Sequence, residues 1–312
     1  MEYIVEIENL SKEYETGFWK KKKVRALDDL TLSVRPGQIF GFLGGNGAGK
    51  TTTIKILMSL LFPSSGSARI LGRNISEPAM HASIGYCPEN PYFYDYLTAR
   101  ELMNYFGELF GMAESTRKAR TEELLAAVGL DEKDWNKQLR KFSKGMLQRV
   151  GLAQSLINDP EIVFMDEPMS GLDPIGRREV RELIAGLREK GTTVFMSTHI
   201  LSDVEALCDE VAILRKGKLA ASGKLEDLLA SEDKHRSFEV QFRGISVNAL
   251  ESALGTVETL AFRGNERNAS VELLDDSNME NVLRLAKSAG ATLVSINSVK
   301  QSLEDLFVRE TT

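Results

Sequence analysis

Few stretches of sequence commit a backbone as firmly as Gly44-Gly45-Asn46-Gly47-Ala48-Gly49-Lys50-Thr51, which stands between an apolar strand candidate, Gln38 to Leu43, and a helix candidate, Thr51 to Leu60. The spacing is G-x-x-x-x-G-K-[ST]. Its glycines let successive N–H groups turn inward with no Cβ in the way, and the helix that follows adds roughly half a positive charge at its N-terminus. Such a nest of donors suits phosphate oxygens. Lys50 is placed to reach the β- and γ-phosphates of a nucleotide such as ATP, and Thr51 to offer its hydroxyl to a bridging Mg²⁺ ion, with Asn46, Ala48 and Thr52 completing the lining. The same loop serves kinases and GTPases, so it fixes a ligand class and leaves the activity open.

A second element narrows the chemistry. Ile162-Val163-Phe164-Met165-Asp166-Glu167 is an apolar run ending in two carboxylates, as expected of a buried parallel strand that delivers acids to its C-terminal edge. Asp166 is suited to hold Mg²⁺ through water. Glu167 is placed to orient or deprotonate an attacking water, a role worth ~10²–10⁴ in rate. Two exposed acids after a core strand are the plain alternative, and a phosphate loop in the same chain argues against it.

Further along, Phe142-Ser143-Lys144-Gly145-Met146-Leu147-Gln148-Arg149 precedes the acidic strand end, and Ser170-Gly171-Leu172-Asp173 and Ser197-Thr198-His199 follow it. With these in order, roughly residues 3 to 230 resemble the ATP-binding cassette family. The resemblance implies a P-loop NTPase core and a head-to-tail dimer, of two copies or of this chain with a related cassette. Two ATP molecules would be sandwiched between the phosphate loop of one copy and the signature of the other. Ser143, Lys144, Gly145 and Met146 would then meet the partner's γ-phosphate from the start of a helix running to about Ile157. His199 would contact the γ-phosphate within its own subunit, Asp173 would communicate between the two sites, and Tyr14 would stack on adenine. Taken alone, Ser143 reads as a helix N-cap and His199 as a polar surface residue.

Three departures from the family pattern stand out. Lys144 and Met146 replace residues usual in the signature, Gly45 stands where proline is frequent, and Glu89, in Cys87-Pro88-Glu89-Asn90, occupies the position of a glutamine. A carboxylate at Glu89 would bind Mg²⁺ more strongly than an amide and repel a γ-phosphate oxygen.

The 312 residues exceed what one core usually organises, which predicts a main domain and a smaller one. Strand candidates Tyr3 to Ile7, Leu30 to Val34, Ile39 to Leu43, Ser83 to Cys87, Ile162 to Met165 and Thr193 to Met196 alternate with helices, the pattern of an α/β domain. Between about 98 and 157 amphipathic helices such as Thr98 to Phe110 and Thr116 to Val128 replace the strands, predicting an inserted helical subdomain. The cassette is therefore expected over 1–230 and an accessory α+β domain over 231–312. In the latter, Phe238, Val240 and Phe242 alternate as a strand; Val247, Leu250 and Leu254 space as a helix. A weaker strand near Val257 to Phe262, a turn at Arg263 to Arg267, a strand through Ala269, Val271 and Leu273, a helix carrying Met279, Val282, Leu283 and Ala286, and a strand through Val294 and Ile296 complete a ferredoxin-like βαββαβ order.

A formal net charge of −6 argues against capture of nucleic acid. The basic run Lys20 to Lys23 reads as a solvated loop, and Cys87 and Cys208 as buried small hydrophobes. No apolar run approaches the ~18 residues that span a bilayer, and Met1-Glu2-Tyr3 does not open a secretion signal, so a cytoplasmic location is expected. The family resemblance then implies a peripheral position on the inner face of the membrane, held by a separate integral membrane permease of the exporter type. Tyr92, Phe93, Tyr94 and Tyr96 fall where that contact would form, and the segment ending Ser302 to Phe307 is similar to accessory domains of exporter cassettes. The competing reading, a cassette ATPase of DNA repair or translation, generally brings coiled coils, zinc modules or a second cassette, none of which this sequence carries.

Overall fold

The computed structural model describes residues 2–16, 22–230, 237–255, 257–259, 261–274 and 276–299. The chain divides into two compact bodies at Leu225/Glu226. The first opens with β1 (Val5–Thr16), β2 (Lys22–Val34), β3 (Ile39–Gly44), α1 (Lys50–Leu57), β4 (Ser65–Ile70) and β5 (Arg73–Asn74). It continues through β6 (Ile84–Cys87), three helices α2 (Ala99–Leu109), α3 (Glu114–Ala127) and α4 (Lys144–Ser155), then β7 (Ile162–Asp166) and α5 (Pro174–Glu189). β8 (Thr193–Thr198), α6 (Leu201–Leu207), β9 (Glu210–Arg215) and β10 (Lys218–Lys224) complete it, and α7 (Leu225–Ala230) begins at the division.

Two sheets result. A six-stranded one runs β10-β9-β3-β8-β7-β6, and a four-stranded antiparallel one runs β2-β1-β4-β5. In the larger sheet β3 lies parallel between β8 and β9, β7 parallel to β8, and β6 parallel to β7. Strands β3, β7 and β8 are buried along their whole length, which explains why they read as unbroken apolar runs in place of an alternating pattern. Phe195 of β8 is the keystone of this packing: its ring lies 5.3 Å from Phe40, 5.2 Å from Phe42 and 5.3 Å from Phe164. Each such buried ring contributes roughly 1.5–3 kcal/mol.

The smaller sheet departs from the sequence reading. Strands expected over Tyr3 to Ile7 and Leu30 to Val34 prove to be ends of a long hairpin, and β4, β5, β9 and β10 were not expected at all. Register shifts between Ile7 and Leu10 and between Leu10 and Lys12 break the two-residue alternation, with Asn9 and Asp29 in left-handed conformations (φ 50° and 58°). An interrupted alternation carries no strand signal. The helical insertion is present as expected: α2 opens with a capping box, Thr98 Oγ1 accepting from the Glu101 N–H and the Glu101 carboxylate accepting from the Thr98 N–H.

The second body comprises β11 (Ser237–Arg243), α8 (Val247–Leu254), β12 (Ala261–Gly264), β13 (Asn268–Leu273), α9 (Met279–Ser288) and β14 (Thr292–Val299). Its sheet order, β12-β13-β11-β14, all antiparallel, is that of a ferredoxin-like βαββαβ unit. It has its own core, with Val240, Phe242, Val271 and Leu273 of the sheet against Leu250, Leu254, Val282 and Ala286 of the helices. The strand expected over Val257 to Phe262 instead occupies Ala261–Gly264, so Arg263 and Gly264 belong to the strand rather than to the turn. The turn itself is closed by Asn265, whose side-chain oxygen accepts from the Arg267 and Asn268 N–H groups. Ser302 to Phe307 lie outside the described residues.

Candidate active site

Four neighbouring parallel strands end at one edge of the large sheet, and their C-terminal residues make the site. Pairing sets Met165 beside Cys87, Asp166 beside Ser197 and Leu43 beside Thr198, so the glycine loop after β3, the acids after β7, the histidine after β8 and Glu89 after β6 converge. A cavity of about 470 Å³ opens there, lined by Gly45, Asn46, Gly47, Ala48, Gly49, Lys50, Thr51, Thr52, Glu89, Glu167 and His199, with Ala26 of β2 closing one side.

The loop is held by contacts that only glycine permits at two places. Gly49 adopts φ 112°, and a Cβ there would lie 2.7 Å from the Ala26 carbonyl oxygen. Gly44 is similarly hemmed, 2.9 Å from the Leu214 carbonyl oxygen. Gly45 differs: its Cβ would meet nothing within 4 Å. α1 has no side chain capping it, so its first N–H groups face the cavity as phosphate donors. Lys50, 7% exposed, donates to the Gly44 carbonyl oxygen at 2.7 Å and lies 3.7 Å from Glu167 Oε1.

Glu167 sits in the left-handed region at φ 50°, an uncommon conformation for a residue with a side chain. Its N–H is fixed by the Ser197 carbonyl oxygen at 3.1 Å and by Ser197 Oγ at 3.3 Å. Ser197 Oγ in turn donates to Asp166 Oδ1. One hydroxyl therefore orders both acids, a role the sequence did not reveal because the partners are 31 residues apart. His199 Nδ1 lies 2.8 Å from Glu167 Oε1; an ionised carboxylate only accepts, so that nitrogen carries the proton. Both Lys50 and His199 thus address the same oxygen, Oε1.

Asp166 is 1% exposed and does not itself line the cavity. Its negative charge adds to burial in pushing the neighbouring Tyr86 phenol and Cys87 thiol each up to about 12, burial being the larger cause. The oxygen donors at hand, the Thr51 hydroxyl and the Glu89 and Asp166 carboxylates, are hard ligands. They are too few to encage an ion alone, which fits Mg²⁺, an ion that retains waters and takes substrate phosphates as ligands.

Other expected site residues lie elsewhere. Ser143 caps α4, accepting from the Met146 N–H at 3.2 Å, and neither it nor Lys144, Gly145 or Met146 lines the cavity. They adjoin Gly171 instead: a Cβ on Gly145 would come 3.4 Å from the Gly171 carbonyl oxygen, and a Cβ on Gly171 3.0 Å from Lys144 Cδ. Asp173 caps α5, accepting from the Gly176 N–H at 2.8 Å. Tyr14 stands on β1 opposite Val24, its ring under Lys12 Nζ at 5.3 Å, and does not line the cavity. Ala26, which does, carried no signal in the sequence.

Residues 27–170 match the family model described as ABC transporter. An uncharacterised ABC transporter ATP-binding protein of Synechocystis is 45% identical over 98% of this chain and 84% of its own length. A fluoroquinolones export ATP-binding protein of Mycobacterium tuberculosis is 36% identical over 92% of this chain and 87% of its own. Among solved structures, a dimeric ATP-binding cassette in a post-hydrolysis state with ADP and phosphate superposes with a TM-score of 0.66 at 25% identity, covering 71% of this chain and 98% of that one.

Proposed function

The chain belongs to the ATP-binding cassette family as an ABC transporter ATP-binding subunit and ATP hydrolase, and from that premise we propose that it is the motor of an exporter, working as a head-to-tail dimer. The observation that carries the proposal is the fixed trio of Glu167, His199 and Lys50 at the mouth of a glycine-lined cavity. The loop N–H groups and Lys50 bind the β- and γ-phosphates, Lys50 exchanging the Gly44 carbonyl oxygen for phosphate oxygens. Thr51 and Glu89, with Asp166 acting through water, would hold Mg²⁺, which would supply neutralisation of the phosphate charge. Glu167 orients the attacking water and takes its proton, while His199 holds the carboxylate and meets the γ-phosphate.

The signature supports the dimer. Ser143 to Met146 begin a helix whose N-terminus lies outside the cavity of its own subunit, so a second copy or a related cassette must bring its own to close the nucleotide in. Asp173, which adjoins the signature through Gly171, then links the two sites. The export direction is supported by the fluoroquinolones export relative. Among the described residues no helix is long and apolar enough to cross a membrane. The proposed partner is a separate integral membrane permease, with this subunit at the inner face of the membrane, a reading supported by relatives named as transporter ATP-binding proteins. Exposed rings suit that contact: Tyr92 is fully exposed, and Tyr94 lies 5.9 Å from Tyr96 and 6.4 Å from Tyr105.

Glu167→Gln tests the proposal. It should keep nucleotide binding, lower turnover ~10²-fold or more and trap an ATP-dependent dimer on size-exclusion chromatography. Normal turnover removes Glu167 from its role. Affinity capture of the trapped dimer from membranes should recover an integral membrane protein; recovery with ribosomes or DNA instead overturns the transporter assignment.

A further inference from the structure

The ferredoxin-like body has two unlike faces. Val240, Phe242, Ala269, Val271 and Leu273 face its helices and are buried. The residues that alternate with them turn to the opposite face, where Gln241, Arg243, Arg263, Asn268, Ser270 and Val294 line a concavity of about 270 Å³. Arg243 of β11 and Arg263 of β12 line it, with only β13 between those strands, and among the described residues no carboxylate lines it. In a protein of net charge −6 this is a local excess of cationic donors.

The carriers of both arginines are held tightly. The Gly244 N–H donates to the Arg267 carbonyl oxygen at 2.7 Å, tying the end of β11 to the β12–β13 turn. Gly264, at φ 139°, presses β12 on to β13 so closely that a Cβ would stand 2.2 Å from the Asn268 carbonyl oxygen. Around the arginines are amide and hydroxyl groups from Gln241, Asn268 and Ser270 that both donate and accept. The nearest acid, Glu272, approaches Arg263 Nη2 only at 3.6 Å, a long ion pair that an anion can replace. The Gln241 amide donates to Glu239 at 3.0 Å, further along the strand. Val294 at the rim is 51% exposed, beside Leu293 at 45%.

We propose that this face is a phosphate-binding site, in which Arg243 and Arg263 clamp a phosphate oxyanion whose adjoining group rests on Val294. It is separate from the nucleotide cavity and independent of the exporter reading. The phosphate comes either from a small phosphorylated molecule in solution or from an anionic lipid headgroup, and the experiment tells these sources apart.

The test uses the full chain carrying Lys50→Ala, which weakens phosphate binding at the glycine loop, and pyrophosphate as the probe in isothermal titration calorimetry, read as the difference that the arginine substitutions make in that background. Saturable binding is expected, and Arg243→Gln and Arg263→Gln should each weaken it about tenfold. Both residues are exposed, so neither change should alter the melting temperature. Glu272→Gln removes the competing acid and should tighten binding several-fold, a change opposite in sign to any general loss of structure. Co-sedimentation with vesicles of phosphatidylglycerol and phosphatidylcholine forms the second arm. Arginine-dependent capture by the vesicles identifies a lipid headgroup, and pyrophosphate binding without capture identifies a free anion. No saturable binding of either probe, or binding that survives loss of both arginines, overturns the proposal.

Discussion

Ser197 illustrates what a single residue does in this site and how little its surroundings in sequence disclose. Its hydroxyl donates to Asp166 and accepts from the Glu167 N–H, so Ser197→Ala leaves a buried carboxylate one donor short and loosens an acid held at φ 50°. Removing a donor from a charged partner costs about 1–3 kcal/mol. Urea unfolding of the variant should show that loss, and turnover should fall roughly 10-fold or more as Glu167 leaves its productive geometry. Unchanged turnover would mean that the backbone bond to the Ser197 carbonyl suffices. The place of Glu167 at the cavity was legible, because an apolar run ending in acids reads as a buried parallel strand that delivers them to its C-terminal edge. Cys87 makes a prediction of another kind. Burial and the Asp166 charge raise its thiol from 9.0 to about 12, so the unfolded chain ionises there first and the folded chain does not. Stability from this group is intact below pH 9 and is lost as pH rises from there toward 12. The slope approaches about 1.4 kcal/mol per pH unit for one group. Alkylation of Cys87 at pH 8 should accordingly follow the fraction unfolded in urea; labelling of the native chain at the rate of a free thiol would contradict the burial.

Among the elements, the phosphate loop and the first hairpin show opposite relations between sequence and form. The loop was readable because its glycines answer a local geometric demand, yet its glycines are not equivalent. Gly49→Ala must place a methyl group 2.7 Å from the Ala26 carbonyl oxygen at φ 112°, and nucleotide affinity should drop at least tenfold along with thermal stability. Gly45→Ala meets open space and should keep affinity within about threefold, since the added methyl stiffens the unfolded chain without straining the folded one. Equal losses in fluorescent-nucleotide titrations of the two variants would refute this distinction. The β1–β2 hairpin was unreadable beyond its ends because its bulges interrupt the alternation on which strand recognition rests. Strands β4, β5 and β10 were missed for a related reason: they are short or only half buried and bear few apolar residues. The same limit hid Ala26, a small residue that matters through its carbonyl oxygen rather than its side chain.

At the scale of the whole molecule the question is what the second body adds to an engine that the first body already contains. Each body has a separate hydrophobic core, Phe40, Phe42, Phe164 and Phe195 in one and Val240, Phe242, Val271 and Leu273 in the other. A chain ending at Ala230 should therefore keep the cassette fold and bind ATP with unchanged affinity, because every described residue lining the nucleotide cavity lies before that point. If the second body steadies the dimer, its removal should act only on association. In the Glu167→Gln background, where ATP holds the closed state, sedimentation equilibrium should then show the truncated chain dimerising about tenfold more weakly than the full one, a difference of roughly 1.4 kcal/mol. Mass action makes the same effect visible in heat denaturation, since a dimer that forms less readily protects the folded cassette less at a given protein concentration. Equal dimerisation with and without the second body, at equal ATP affinity, would assign that body to some task other than pairing.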